Sequence, residues 1–234
     1  MHIVFVSREY LPTLRGGEIA SYIRDTAKGL IERGHRVTVC CASDNTKEES
    51  EYDDDGVHVI RLSGGDFIVP EKERVNLVRK FRCLYRFYSY RKKILKRLET
   101  LDNIDIVEVA EFGAEAFYLS KLKVPVVIRL HTPTLLDRDT ATIKHFHLGT
   151  FYEYWVGLQE LRILPRFKYI TSCSQSLKCW FEKYVPRLKS KIEVIYNSID
   201  VEQWKRDDCI IYQENTILYV GTVAEGKGIG DLIE

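Results

Sequence analysis

Residues 2–42 read "HIVFVSREYLPTLRGGEIASYIRDTAKGLIERGHRVTVCCA". An apolar run, "HIVFVS" (2–7), gives way to a polar loop. A helical pattern follows, with Ile19, Ile23, Ala27, Leu30 and Ile31 on one side and Gly34 as its left-handed cap. A second β-branched run, "HRVTVCCA" (35–42), closes the unit. Strands apolar on both faces, with a helix between them, predict a parallel sheet covered on both sides. The pattern recurs at "VHVIRL" (57–62), "DIVEVA" (105–110), "VPVVIRL" (124–130), "KYITSCS" (168–174) and "KIEVIY" (191–196). This alternation predicts an α/β fold, a Rossmann-like, doubly wound and mainly parallel sheet.

Composition narrows the class. With 234 residues, 45% of them hydrophobic and 29% charged, the chain can bury one large core, or one core plus a small appendage. Its apolar runs fall far short of the roughly 20 residues that span a bilayer, so no transmembrane helix is expected. The first run ends at Ser7-Arg8-Glu9 and reads as a buried strand, not a secretory signal, which points to a cytoplasmic protein. Six cysteines without a CxxC pair or zinc-spaced histidines are expected as reduced thiols in or near the core, with no metal site. The segment "DNTKEESEYDDDG" (44–56) carries seven acids and one lysine, and is expected as a surface loop.

The net charge of +1 hides an asymmetry. Residues 74–97 hold ten Lys/Arg and no acid, which leaves the other 210 residues at −9. Helical spacing puts Val75, Val78, Phe81, Leu84, Tyr85, Tyr88, Leu95 and Leu98 on one side, and Arg79, Arg82, Arg86, Lys93 and Arg97 on another. Two readings stay open: peripheral contact with an anionic membrane through residues 74–97, or a helix packed on its own sheet with a solvated basic face. No recognised nucleic-acid module surrounds the stripe, so nucleic acid is not an expected partner.

Eight residues, Arg8 to Arg15, separate the first strand from Gly16 and Gly17. A dinucleotide fold places GxGxxG at the strand-to-helix turn, and neither that fingerprint nor GxxxxGK[ST] is present. A nicotinamide cofactor and a P-loop are thus disfavoured. Glycines at a helix N-terminus expose amides and the positive dipole end to an anion, although local sequence alone favours a tight turn as the reason for the doublet. His131, in "RLHTPT", follows the fifth of these runs, at the carboxyl edge where open α/β folds bind ligands.

The glycine doublet, "RLHTPT", "SCSQSLKCWFEKY", "VIYNSID" and "ILYVGTVAEGKGIGDLIE", in that order and spacing, resemble family-4 retaining glycosyltransferases of the GT-B fold. The resemblance covers essentially the whole chain. It implies an N-terminal acceptor-side domain over 1–197, a linker over 198–215, and a truncated start of a nucleotide-sugar domain over 216–234. It implies a nucleotide-diphosphate sugar as donor, a saccharide or lipid-linked acceptor, and neither cofactor nor metal. His131 would reach the donor sugar near the reacting carbon, and Gly16, Gly17 and Lys227 the diphosphate. Tyr10, Arg15 and Glu111 border the same loop or edge and are candidates for acceptor contact, Glu111 being equally readable as a solvated carboxylate. Thr222 and Gly226 stand where the family commonly has arginine and glutamate, which weakens donor binding without excluding it. The chain alone is expected to have little or no transferase activity, and "TILYVG" (216–221) to be a strand without its own sheet, either disordered or paired with another chain. The competing reading is a non-catalytic fragment that binds an acceptor, a membrane or a partner.

Overall fold

The seven apolar runs all form strands, and an eighth strand joins them. In this computed structural model they are β1 (His2–Val6), β2 (Arg36–Ala42), β3 (Ser50–Asp54), β4 (Val57–Leu62), β5 (Ile106–Ala110), β6 (Val126–Leu130), β7 (Tyr169–Ser172) and β8 (Ile192–Val194). The structure describes residues 1–13, 17–44, 48–65, 77–136, 151–199, 201–202, 205, 215–221, 223 and 228–233, without the side chains of 77–80. The chain divides into two units, Met1–Ser198 and Ile199–Glu234.

In the first unit one sheet runs β3-β4-β2-β1-β5-β6-β7-β8, parallel throughout except for the antiparallel β3 edge. Alternate residues of each strand face opposite sides. Phe5, Val37, Val39, Cys41, Val57 and Val59 bury one face beneath α1 (Glu18–Glu32), through Tyr22, Ile23 and Ala27. Val4, Val6, Cys40, Ile60, Val107 and Val109 bury the other beneath α2 (Leu77–Glu99), α3 (Phe151–Ile163) and α4 (Gln175–Tyr184). Gly34 takes φ +78° behind α1 and donates to the Ile31 carbonyl at 2.8 Å, as its position past the last helical turn predicted.

Three expectations are corrected. The acidic segment is not all loop: Ser50–Asp54 is the edge strand β3, and its carboxylates have partners. Glu49 pairs with Lys93 at 2.6 Å, Glu51 with Arg97 at 2.6 Å, and Asp55 with Lys28 at 2.9 Å. Acids too polar to bury serve an edge strand well, because charge there blocks further pairing. Second, α2 buries a different stripe from the one its hydrophobicity implied. Cys83, Phe87, Tyr90, Arg91, Ile94 and Leu98 face inward with Leu95, whereas Phe81, Tyr85 and Tyr88 are exposed. Third, Thr216–Gly221 forms no strand in the second unit. Ile217, Leu218 and Val220 lie exposed, as a segment without a ladder partner would leave them. The element described in this unit is a short helix, α5 (Ile229–Ile233). Of the cysteines, Cys40, Cys41 and Cys83 are buried free thiols and Cys173 is half-buried, but Cys179 is exposed, and Cys209 lies outside the described residues. No described helix is long and apolar enough to cross a membrane.

The exit of β5 is closely packed. Gly113 and Ala114 take φ +78° and +55°, breaking the 3-10 segment Phe112–Lys121 into two pieces. The Gly113 amide donates to Glu160 Oε1 at 2.6 Å, and its carbonyl accepts from both Arg8 and the buried Arg91. A Cβ on Gly113 would stand 2.1 Å from Arg8 Nη2. Gly113→Ala therefore combines a left-handed backbone penalty of roughly 1–2 kcal/mol with displacement of a packed guanidinium. We expect a loss of at least about 2 kcal/mol and a fall in Tm of roughly 4–8 °C, read by thermal denaturation. An unchanged Tm would mean the kink is not constrained as described.

Candidate functional site

At the carboxyl edge the strand order reverses between β1 and β5, the place where open α/β sheets bind ligands. Three strand exits converge there: β1 into Ser7–Tyr10, β5 into Glu111, and β6 into His131. The first of these loops is held by Arg61 of β4, which donates to the Tyr10 carbonyl at 2.8 Å and the Pro12 carbonyl at 2.7 Å. Thr13 adds a hydrogen bond to Asp44 at 2.8 Å. The polar loop that leads to α1 is thus fastened by the acidic segment and a buried arginine.

His131 sits where the sequence placed it, at the tip of β6, and is largely buried. Its ring packs tilted on Tyr22 of α1, centroids 5.1 Å apart. Tyr22 in turn donates to Glu108 Oε1 at 2.9 Å and carries the Arg129 guanidinium 4.8 Å above its ring. Burial, with a smaller push from Arg129, lowers the His131 pKa to about 4. The imidazole is therefore neutral at physiological pH, able to donate one hydrogen bond and accept another.

Glu111 is not a solvated carboxylate. It is fully buried, its Oε2 accepts the His131 backbone N–H at 2.8 Å, and its Oε1 has no partner. Burial and the nearby Glu160 raise its pKa to about 8. Glu160 of α3, also fully buried, accepts from Thr134 N at 2.8 Å and Thr134 Oγ1 at 2.6 Å as well as from Gly113. Two carboxyl groups thus fasten the β6 exit to the β5 exit on either side of His131. Glu160 was missed in the sequence because nothing in "FYEYWVGLQELRI" distinguishes it from a solvated helix residue.

Gly17 precedes α1 as its N-cap, five residues before Tyr22, so the glycine end of the helix and the imidazole share one edge of the sheet. Its amide is already occupied: it donates to Glu9 Oε2 at 3.0 Å. Tyr10 is fully buried and donates to Asp54 at 2.8 Å, a structural position that gives an acceptor no access. Arg15, Gly16 and Lys227 lie outside the described residues. Among the described residues no group of His, Cys, Asp and Glu could hold a metal ion.

A family model described as Glycosyltransferase Family 4 matches residues 16–203. No curated protein sequence matches the chain. Among solved structures, sucrose-phosphate synthase from Thermosynechococcus elongatus is similar at 13% identity and TM-score 0.63, over 86% of this chain and 49% of its own. A trehalose-6-phosphate protein from E. coli bound with UDP-2-fluoro glucose matches at 13% identity and TM-score 0.50, over 87% of this chain and 50% of its own. An α,α-trehalose-phosphate synthase (UDP-forming) from Burkholderia xenovorans, in complex with glucose-6-phosphate, matches at 12% identity and TM-score 0.52, over 80% and 43%. At such identities the likeness carries the fold, and the chain spans about half the length of these structures.

Two titrations follow from the geometry. The His131 imidazole should stay neutral as pH falls from 7 to about 5, read by its ring NMR shifts; an ordinary midpoint near 6.5 would contradict its burial. Glu111 works in the opposite sense. Its folded pKa lies above the unfolded value, so its contribution is complete below about 4.5 and is lost as pH rises toward about 8. Glu111→Gln should therefore gain stability relative to the parent between pH 5 and 8, on the order of 2–4 kcal/mol, measured by urea denaturation. A gap that does not change with pH would overturn the assignment.

Proposed function

Because the chain belongs to Glycosyltransferase Family 4, we propose that its first unit is the acceptor-side domain of a GT-B enzyme that moves a sugar from a nucleotide diphosphate to a saccharide or lipid-linked saccharide with retention of configuration. The observation that carries this reading is the juxtaposition of a neutral, positioned His131 with the glycine end of α1 at the strand-order reversal. The solved structures bound with UDP-2-fluoro glucose and glucose-6-phosphate support the substrate classes by analogy of fold.

In this reading His131 donates a hydrogen bond to a hydroxyl of the donor sugar and stays uncharged, so it orients the reacting carbon without repelling positive charge that develops there. Glu111 acts through His131, by fixing the strand tip from which the imidazole projects. The Gly17 amide and the α1 dipole meet the diphosphate, with Gly16 in the same role; a hydrogen bond to a charged oxygen contributes roughly 1.5–3 kcal/mol. The 234 residues alone are expected to turn over little sugar, a reading supported by their covering about half of the similar structures.

One observation favours a second reading, a unit that binds an acceptor without binding donor: the Glu9 carboxylate sits on the Gly17 amide, where a phosphate would have to be. A phosphate and Glu9 compete for the same donor. Glu9→Gln separates the two readings. If the site takes a nucleotide diphosphate, removing the charge should tighten UDP, ADP or GDP binding severalfold by calorimetry; no binding by parent or variant favours the acceptor-only reading.

Transfer itself is tested in a polypeptide that shows it, this chain or this chain joined to a nucleotide-binding domain. His131→Ala should lower kcat by about 100-fold or more, comparable with loss of a preorganised donor of roughly 3 kcal/mol, in protein whose thermal melt shows that it is still folded at the assay temperature. NMR of the product should show the anomeric configuration of the donor. Full turnover in His131→Ala, or an inverted product, would sink the respective assignment.

A further inference from the structure

The basic charge of α2 is divided between two flanks that do different things. Lys93 and Arg97 are committed to Glu49 and Glu51 of the acidic hairpin, and Arg91 is buried against the Gly113 and Ala114 carbonyls and the Phe87 ring. What remains outward is Phe81, Tyr85 and Tyr88, 71%, 73% and 40% exposed, with the exposed Arg82, Lys92 and Lys96 beside them. Positions 81, 85, 88, 92 and 96 are spaced four, three, four and four apart, so they form one line along the helix. Its central ring is anchored. Tyr88 packs edge-on against Phe117 at 5.5 Å and against Trp155 at 6.0 Å, and Phe87 behind it packs on Trp155 at 4.8 Å. The exposed Leu158 follows one turn along α3 from Trp155.

The helix is also placed. Arg91 reaches the β5 exit at Gly113, which lies at the carboxyl edge. Phe81 precedes Arg91 by ten residues, about 15 Å of helix at 1.5 Å per residue. The aromatic stripe therefore stands beyond the sheet's carboxyl edge, on the side where His131 lies. Large rings exposed on a rigid scaffold, with cations interleaved and no acid in residues 74–97, match an interface that is apolar within and anionic at its surface. The remainder of the chain carries −9, so an anionic plane attracts this helix and repels the rest, which fixes orientation as well as affinity.

We propose that the outward stripe of α2, Phe81, Tyr85 and Tyr88 flanked by Arg82, Lys92 and Lys96, docks the first unit on an anionic lipid bilayer, with the carboxyl edge and His131 next to the membrane surface. The rings enter the headgroup boundary, and the cations sit at the level of the lipid phosphates. The docking does not require sugar transfer. It extends the transfer reading by giving a lipid-linked acceptor a short path to the site, and vesicle binding and turnover can fail separately.

The test is co-sedimentation of the purified chain with vesicles of phosphatidylcholine alone and of phosphatidylcholine with 30% phosphatidylglycerol, at about 0.1 M salt. We expect partitioning at least about tenfold stronger on the anionic vesicles. Each basic residue near such a surface contributes about fivefold, so Arg82→Glu/Lys92→Glu/Lys96→Glu should lose about 100-fold or more. Phe81→Ala/Tyr85→Ala should also weaken binding, and do so even at low salt, where charge alone would persist. Lys93→Gln, which removes a cation already paired with Glu49, should change binding least. All sites changed in the two multiple variants are exposed, and unchanged thermal melts confirm that the fold is kept. Equal sedimentation with both vesicle types, or none, overturns the proposal. So does a dimer in solution that Phe81→Ala/Tyr85→Ala dissolves while vesicles are ignored, because the occupant would then be a second copy of the chain. Binding to anionic vesicles that is abolished by charge reversal but indifferent to the aromatic pair overturns it as well, leaving only non-specific attraction.

Discussion

One buried carboxylate, Glu160, holds the carboxyl edge of the sheet together. It gathers the Gly113 amide, the Thr134 amide and the Thr134 hydroxyl, donors from the exits of two neighbouring strands. A carboxyl group out of water is costly unless its oxygens are occupied, and here burial raises the Glu160 pKa against the downward pull of those bonds. The consequence is structural. Gly113 must turn its amide toward α3 and its carbonyl toward Arg8 and Arg91, which forces the left-handed kink. With both exits pinned, the His131 backbone meets Glu111 at a fixed height, and the ring meets Tyr22 of α1. The position of the imidazole is thus set on the far side of the sheet from the helix it touches.

The same kink explains why α2 buries the face it does. Hydrophobic spacing alone assigns Phe81, Tyr85 and Tyr88 to the core, because rings count as apolar wherever they fall. The helix instead rotates to deliver Arg91 to the carbonyls at Gly113 and Ala114, and Arg91 stacks on Phe87 as it does so. Four hydrogen bonds and a ring contact for a buried guanidinium outweigh the exposure of two or three aromatic side chains that keep an edge on water. The opposite flank then meets the acidic hairpin, where Glu49 and Glu51 neutralise Lys93 and Arg97.

What was legible in the sequence follows from the range of the interactions involved. The seven strands were legible because each is a local apolar run, and the parallel order followed from helices between them. The place of His131 was legible because a strand end is a local event. The register of β3 was not, since its polar residues gain order only by pairing with β4 and with charges on α1 and α2. Glu160 and Arg91 were not either, because each looks like a surface residue of its own helix and acquires its role from a backbone 22 to 47 positions away. The strand expected at 216–221 failed for the complementary reason: its residues suit a strand, but no described strand is there to pair with them.

The charges at the carboxyl edge argue for a division of labour. Arg8 is spent on Glu115 and the Gly113 carbonyl, Arg61 on the first loop, and Arg129 on Asn197 and the Tyr22 ring. His131 is neutral, and the exposed Gly17 amide faces a carboxylate. Among the described residues, the cations at this edge are thus committed to protein partners, and its free polar capacity lies in neutral donors and acceptors at fixed positions. Among the described residues, what it offers an anion is the positive end of one helix, and Glu9 competes for that. Any anion at this edge would therefore have to displace Glu9 from the Gly17 amide before it met the positive end of α1.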